Sequence, residues 1–438
     1  TADFNTAIGQ SALKQNTTGT QNTAVGSACL DANTTGNYNT ASGYVALSAN
    51  TTGVSNTAFG AYALDEAGAQ NHNTAIGYGA IGGSSTGSDN TAVSSALAAN
   101  ANSYNTAVGK DALKTNGSGT KNTAVGAFAL DDVASASNNT GLGYAALSGG
   151  ASGSSNTAVG ANALLYNEES FNTAVGDSVL QLNTSGTRNS AIGAFAMDAH
   201  TTGNDSTALG YGALSASTTG HSNVAVGSLA LLSMTTGTFN VAVGKDTLDV
   251  VTTGSYNVAV GNNAGDGITT GNINTCIGQD AGKSITTGSQ NIMIGLDAGR
   301  SNSPSGDVST GSHQVCIGDN AITNAFIKVA FTTGSDKRDK TDIEDFKFGL
   351  DWINKMRPVT YRWDNRDWYE NGIPDGSKKA SQLELGLIAQ EELEIEKEFG
   401  FADTKENMLI SSVNSSGSYG MKYERIVPVL INAIKELS

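Results

Sequence analysis

Asn5-Thr6-Ala7-Ile8-Gly9 returns as Asn22-Thr23-Ala24-Val25-Gly26, and the same five-residue phrase then recurs through the first three quarters of the chain. Its leading position falls at 5, 22, 39, 56, 73, 90, 105, 122, 139, 156, 172, 189, 206, 223, 240, 257, 274, 291 and 314. Fifteen of the eighteen spacings are 17 residues, and the other three are 15, 16 and 23. Only Ser206 and Gln314 replace the leading Asn, and only Ser94 replaces the closing Gly. A period this short and strict indicates a solenoid. Seventeen residues cannot hold two packed helices and a turn, and Thr, Val and Ile favour strands, so each copy reads as one β-coil.

Two columns are expected to form the interior. The third residue after the Asn is large and apolar in nearly every copy (Ile8, Val25, Val108, Val243), with Ser42 the exception, and the eighth is usually Leu (Leu13, Leu30, Leu113, Leu231). In the copies starting at Asn257 and Asn274 that Leu becomes Gly265 or Gly282, and Ile268 or Ile285 appears three positions later. Such a compensating exchange is what a packed ladder requires. The second position is small, mostly Ala, with Cys276 and Cys316 late in the array, read as small core residues. Thr-Thr-Gly, as at 34–36, closes many copies, and its Gly is expected to take a left-handed turn. Stacked Asn side chains are expected to hydrogen-bond from coil to coil.

Composition agrees with this reading. The 438 residues include 54 Gly and only 15% charged side chains. Residues 1–325 carry 8 basic and 20 acidic side chains, and the remainder carries 16 and 20. Neither part offers a basic stripe for nucleic acid, and no apolar run is long enough to span a membrane. The three cysteines lack metal spacing. The four histidines (His72, His200, His221, His313) read as surface residues on turns, so no metal and no cofactor is expected. A sugar-cleaving pair of carboxylates is poorly provided for, since the array holds only Glu66, Glu168 and Glu169. Exposed aromatics before the Asn, such as Tyr38, Tyr104 and Tyr256, read as turn caps that a glycan can touch.

The pattern resembles the head repeats of trimeric autotransporter adhesins, and resembles more closely the Asn-Thr-Ala-Val-Gly arrays of phage tail fibres. That resemblance implies a parallel β-roll closed as a trimer over about residues 1–322. The array opens with a full copy at Asn5, whereas solenoids carry atypical capping units, which leads us to expect an anchoring segment upstream.

Beyond residue 326 the composition changes. All three tryptophans and three of the four prolines lie there. Residues 345–356 read as a helix ended by Arg357-Pro358, 359–363 as a strand, 364–382 as a polar loop, 391–399 as an acidic helix and 426–437 as an amphipathic closing helix. Four blocks occur in order: Ser335-Asp336-Lys337-Arg338-Asp339-Lys340, Met356 to Trp363, Gly386-Leu387-Ile388-Ala389-Gln390-Glu391, and Tyr423 to Leu437. Together they resemble the endosialidase-type C-terminal intramolecular chaperone of phage tailspikes and tail fibres. The resemblance implies a domain that trimerises the fibre and then releases itself by cutting before Ser335. Asp336 and Arg338 belong to the same motif. In this chain the Ser335 hydroxyl would attack the carbonyl of Gly334, where no side chain hinders it. Serine is a poor nucleophile without a base. Lys340 is that base once its ammonium gives up a proton, which burial favours.

The expected architecture is therefore mainly β: a 17-residue-coil solenoid or β-roll (1–322), a connector (323–334), and a small α+β chaperone and self-cleavage domain with a C-terminal helix (335–438). The expected role is host attachment as a homotrimeric virion fibre, with a glycan or outer-surface protein as receptor. The other readings are a bacterial surface adhesin and a polysaccharide-degrading spike. Any enzymatic activity would be the single self-cleavage, with no external substrate.

Overall fold

A computed structural model describes residues 2–83, 87–97, 102–150, 152–322, 324–328, 333–414 and 417–438. Part of the expected connector, residues 323 and 329–332, lies outside the described residues. The chain divides into two compact units, residues 1–273 and 274–438.

The array is a parallel β-solenoid. Each copy contributes a three-residue strand that pairs in register with the copy a period away. Thr23 lies beside Thr40, Ala24 beside Ala41 and Val25 beside Ser42, and Thr23 N donates to Asn39 O at 2.8 Å. After the strand, Gly26 turns the chain at φ +142°, and a Cβ there would lie 2.3 Å from Gly43 O. Ala28 and Leu30 then take left-handed conformations at φ 52° and 50°, and Tyr38 does so before the next Asn. These are unusual for residues with a Cβ, and they repeat coil after coil because the same stacked hydrogen bonds hold them, for example Leu30 N to Ala46 O at 3.1 Å.

Strand alternation decides what is inside. Successive side chains of a strand point to opposite faces, so Thr-Ala-Val turns inward either its Ala or its Thr and Val, and burial shows that it is the Ala. Ala24, Ala107 and Ala242 are fully buried, as are Leu30, Leu113 and Leu231. Fully burying such a Leu contributes about 1.5–3 kcal/mol. Leu13, in the first copy, is half-buried. The third-position residues do not join this interior. Ile8 is 61% exposed, Val243 is 36% exposed, Val25 is exposed and Val108 is half-buried. The expectation that this column fills the coil is corrected: Ala and Leu already fill the narrow interior, and the pleat turns Val outward.

The Thr-Thr-Gly turn also works differently from the expectation. Gly36 is not left-handed. A Cβ there would sit 2.3 Å from Gly53 O and 2.5 Å from Asn33 Oδ1, so the glycine is needed because neighbouring coils approach closely. The leading asparagines do bond from coil to coil. Asn39 N donates to Asn22 Oδ1 at 2.9 Å, and Asn39 Nδ2 donates to Gly53 O at 2.8 Å. A second interior column (Asn16, Asn33, Asn50) carries its own amide chain, with Asn33 Nδ2 to Asn16 Oδ1 at 2.9 Å. The three cysteines are free and buried, and burial pushes the Cys276 thiol up to about 12.

The second unit holds the strands Thr275–Ile277, Ile292–Ile294 and Val315–Ile317 and then the α+β part. Its helices are α1 (Leu350–Lys355), α2 (Ala389–Glu398) and α3 (Ile426–Leu437). Helix α1 begins five residues later than the pattern suggests. Asn432 Nδ2 donates to Phe346 O at 2.5 Å, which holds that stretch extended, and Glu436 Oε2 accepts from Leu350 N at 2.6 Å, capping the helix. Val359–Tyr361 pairs antiparallel with Glu384–Gly386, and a hairpin that sequence reasoning missed pairs Ser411–Val413 with Tyr419–Met421. Trp352 is the centre of this part. It is fully buried, stacks on Phe399 at 4.8 Å and contacts Phe346, Phe348 and Phe401.

Candidate active site

Ser335 and Lys340 are brought together by a single turn of 3₁₀ helix, Lys337–Asp339. Asp336 caps that turn: its Oδ1 accepts from Arg338 N at 2.9 Å, and Lys340 N donates to Lys337 O at 3.2 Å. The rise of about 2 Å per residue in such a turn is short enough to fold the Lys340 side chain back over the motif. Lys340 Nζ donates to Ser335 Oγ at 2.6 Å. The two other motif residues brace the same turn. Arg338 Nε and Nη2 donate to both oxygens of Asp336, at 3.1 and 2.6 Å, and these hydrogen bonds hold the Asp336 carboxyl below the ordinary carboxylate range.

The site is open. Ser335, Lys340 and the turn between them are exposed in the single chain. Gly334 is free of neighbours as well, since a Cβ at that position would meet no atom within 4 Å. What the arrangement can do is transfer a proton between hydroxyl and amine, because the two atoms are already in hydrogen-bond contact.

Elsewhere in the α+β part, two buried carboxylates lie where sequence reasoning put only an acidic helix. Glu392 Oε1 accepts from Trp352 Nε1 at 2.8 Å, and burial pushes its carboxyl above the ordinary range. Glu396, fully buried, accepts from the backbone N–H groups of Leu409, Ile410 and Ser411 at 2.8, 2.8 and 2.5 Å. The signal was their spacing of four, which puts both on one face of α2. The expectation that all four histidines lie on the surface fails at one of them. His200 is fully buried, with Nε2 on Gly203 O at 2.8 Å and Nδ1 on Ser217 Oγ at 3.3 Å. Among the described residues no group of three or more His, Cys, Asp or Glu is placed to hold a metal ion.

The family model Peptidase_S74, described as chaperone of endosialidase, matches residues 335–401. The match begins at the dyad serine and takes in three of the four sequence blocks. The fourth block, with α3, lies beyond it. No curated protein matches the chain. A parallel β-solenoid followed by a C-terminal part of this kind fits a tail-fibre- or spike-like protein. Among the described residues no helix is long and apolar enough to cross a membrane.

Proposed function

We propose that this chain is the host-attachment segment of a phage tail fibre or tailspike, assembled as a homotrimer by its C-terminal chaperone, which then cuts itself free between Gly334 and Ser335. The observation that carries this reading is the 2.6 Å contact between Lys340 Nζ and Ser335 Oγ at the first residue of the family match. Assembly has separate support in α3. Val427, Leu430, Ile434 and Leu437 follow a 3-4-3 spacing and are all exposed, which is the seam that parallel helices use to pack against copies of themselves.

In the proposed reaction Lys340, neutral, takes the proton from Ser335 Oγ while that oxygen attacks the Gly334 carbonyl carbon. An ester bond forms there, the peptide C–N bond breaks, and the proton passes to the departing amine of Ser335. Water then hydrolyses the ester, leaving a Gly334 carboxylate and the restored serine hydroxyl. The exposure of the dyad in the single chain makes association the step that desolvates the lysine, so cleavage follows assembly. The receptor is a glycan or protein of the host surface, and the location is the virion, outside the cell.

The purified full chain, incubated at mildly alkaline pH without added protease, is expected to yield fragments of 334 and 104 residues. The rate should rise with pH, because attack requires the neutral amine. Ser335→Ala and Lys340→Ala should each abolish cleavage while leaving the oligomer intact. A wild-type chain that assembles but stays whole would remove the self-cleavage reading, and a stable monomer at micromolar concentration would remove the assembly reading.

A further inference from the structure

The last spacing of the array is 23 residues, six more than the period, and it belongs to the copy that leads toward the C-terminal part. Val308 takes the place in the interior column that Ile285 holds one copy earlier, and both are fully buried. Thr286 N donates to Ser309 O at 2.8 Å, so the two copies are in register again from that point. The added residues are therefore 302–307. They form a closed turn. Val308 N donates to Gly299 O, Ser303 N to Arg300 O and Gly306 N to Ser303 O, each at 2.9 Å. Ser303 is buried, and its Oγ accepts from Gly299 N at 3.1 Å and donates to Arg300 O at 2.8 Å. Asn302 Nδ2 donates to Asp297 Oδ2 at 2.6 Å.

This turn meets the hairpin of the C-terminal part, and both belong to the compact unit 274–438. Asn414 follows the first strand of that hairpin. Its Oδ1 accepts from Ser418 N at 2.8 Å, and its backbone N–H donates to Ser418 O at 2.9 Å. The first of these bonds fixes which end of the amide is oxygen. The other end, Nδ2, donates to Ser305 O at 2.5 Å, across 109 residues of sequence. Ser305 and Asn414 are both half-buried. The hairpin is anchored on its far side too. Glu396 of α2 accepts from the backbone N–H groups of Leu409, Ile410 and Ser411, and Arg366 Nη2 donates to Ser418 Oγ at 2.8 Å. Between Ser305 and Asn414 in sequence lies the bond from Gly334 to Ser335, where a Cβ on the glycine would meet no atom within 4 Å. Residues 324–328 and 333–334 of the connector are exposed.

We propose that the turn at 302–307 is a seat for the hairpin, a noncovalent latch that keeps the C-terminal part on the last coil after the chain is cut between Gly334 and Ser335. The contact stands on its own geometry, and its consequence rests on the self-cleavage reading above. Cutting at Gly334 severs the connector but leaves the bond from Asn414 to Ser305 untouched. Cut and departure are then two steps, and opening of the latch sets the time of the second. The seat also depends on the coil beneath it. Val308 N closes the turn onto Gly299 O while its side chain fills the interior column, so the hairpin finds its partner once the last coil has folded. The other spacings, of 15 to 17 residues, add no residues from which such a turn could be built.

The test uses the full chain with Ser335→Ala and the recognition sequence of a site-specific protease inserted after Gly334, so that the cut is supplied from outside and does not depend on the dyad. After digestion the two fragments should co-elute in gel filtration under native conditions and separate in denaturant. Two variants open the latch from opposite sides. Asn414→Asp keeps an acceptor for Ser418 N but replaces the Nδ2 donor with an oxygen. Removing residues 302–307 restores the 17-residue spacing and leaves Val308 in the place that Ile285 holds. In each variant the C-terminal fragment should leave about tenfold faster, with circular dichroism unchanged before the cut. Fragments with the native seat that part as fast as those of Asn414→Asp would overturn the latch, and so would fragments that stay together equally long in both variants. If the latch behaves as expected but the chain with Ser335 in place never cuts itself, the self-cleavage reading falls and the seat stands.

Discussion

His200 stands in the interior column that carries Asn167 and Asn183 in the two preceding copies. With Nε2 donating to Gly203 O, its Nδ1 accepts from Ser217 Oγ, which fixes the neutral tautomer. Burial lowers its pKa below the usual 6.5. The folded state therefore binds fewer protons than the unfolded chain once pH falls below about 6.5, and the stability present above that value is lost on further acidification through the folded pKa. One period earlier, Asn183 donates to Asn167 Oδ1 at 2.6 Å, but its own Oδ1 is buried without a partner. His200→Asn should cure both problems. It supplies a donor toward Asn183 Oδ1, a gain of about 1 kcal/mol by the usual value of a buried hydrogen bond, and it removes the titrating ring. Thermal melts between pH 7 and 5 should show a higher midpoint and a flatter acid dependence. A slope equal to wild type would mean that another group carries it.

At the scale of the coil, neighbouring residues of one strand should respond oppositely to the same change. Ala242→Asp places a carboxylate in the closed interior, where it costs several kcal/mol or stays protonated, and should unfold the adjacent coils. Val243→Asp points to solvent and should leave the melting of an isolated coil stack nearly unchanged. Circular dichroism melts separate the two effects, and a collapse of both variants alike would put Val243 back inside. This pair also marks the limit of what sequence could reveal. The period, the parallel stacking, the Leu30-type column and helices α2 and α3 were all legible, because each rests on spacing, whereas Ser335 and Lys340 were singled out by the resemblance to a chaperone motif, since spacing alone reads that stretch as a polar linker. The inward side of Thr-Ala-Val was not, since size suggests Val inside while the pleat and the narrow interior select Ala. The burial of Glu392 and Glu396 was hidden for a related reason. Their partners are an indole forty residues away and backbone groups of a segment with no periodic pattern.

Across the molecule, charge is distributed unevenly. The 20 acidic and 8 basic side chains of residues 1–325 repel one another on balance, and parallel copies would set like charge beside like. Raising ionic strength from about 0.01 to 0.15 M shortens the screening length from about 30 to 8 Å. The array's melting temperature and its association should both increase over that range, as calorimetry and sedimentation would report, and a decrease would mean that attractive ion pairs dominate. The joint between coils has a different consequence. Thr6 N bonds to Asn22 O, Thr23 N to Asn39 O and Thr40 N to Asn56 O, each at 2.8 Å, so each of these joints is built from the same parts. Removing or duplicating one 17-residue unit in the gene would rejoin identical partners, and recombination between such near-identical stretches produces that kind of event readily. A single-residue insertion within Thr-Ala-Val would instead turn that coil's alanine outward. Copy number is thus a heritable quantity that can drift in whole steps while the fold stays intact, and a lineage can lengthen or shorten the array without inventing a new contact.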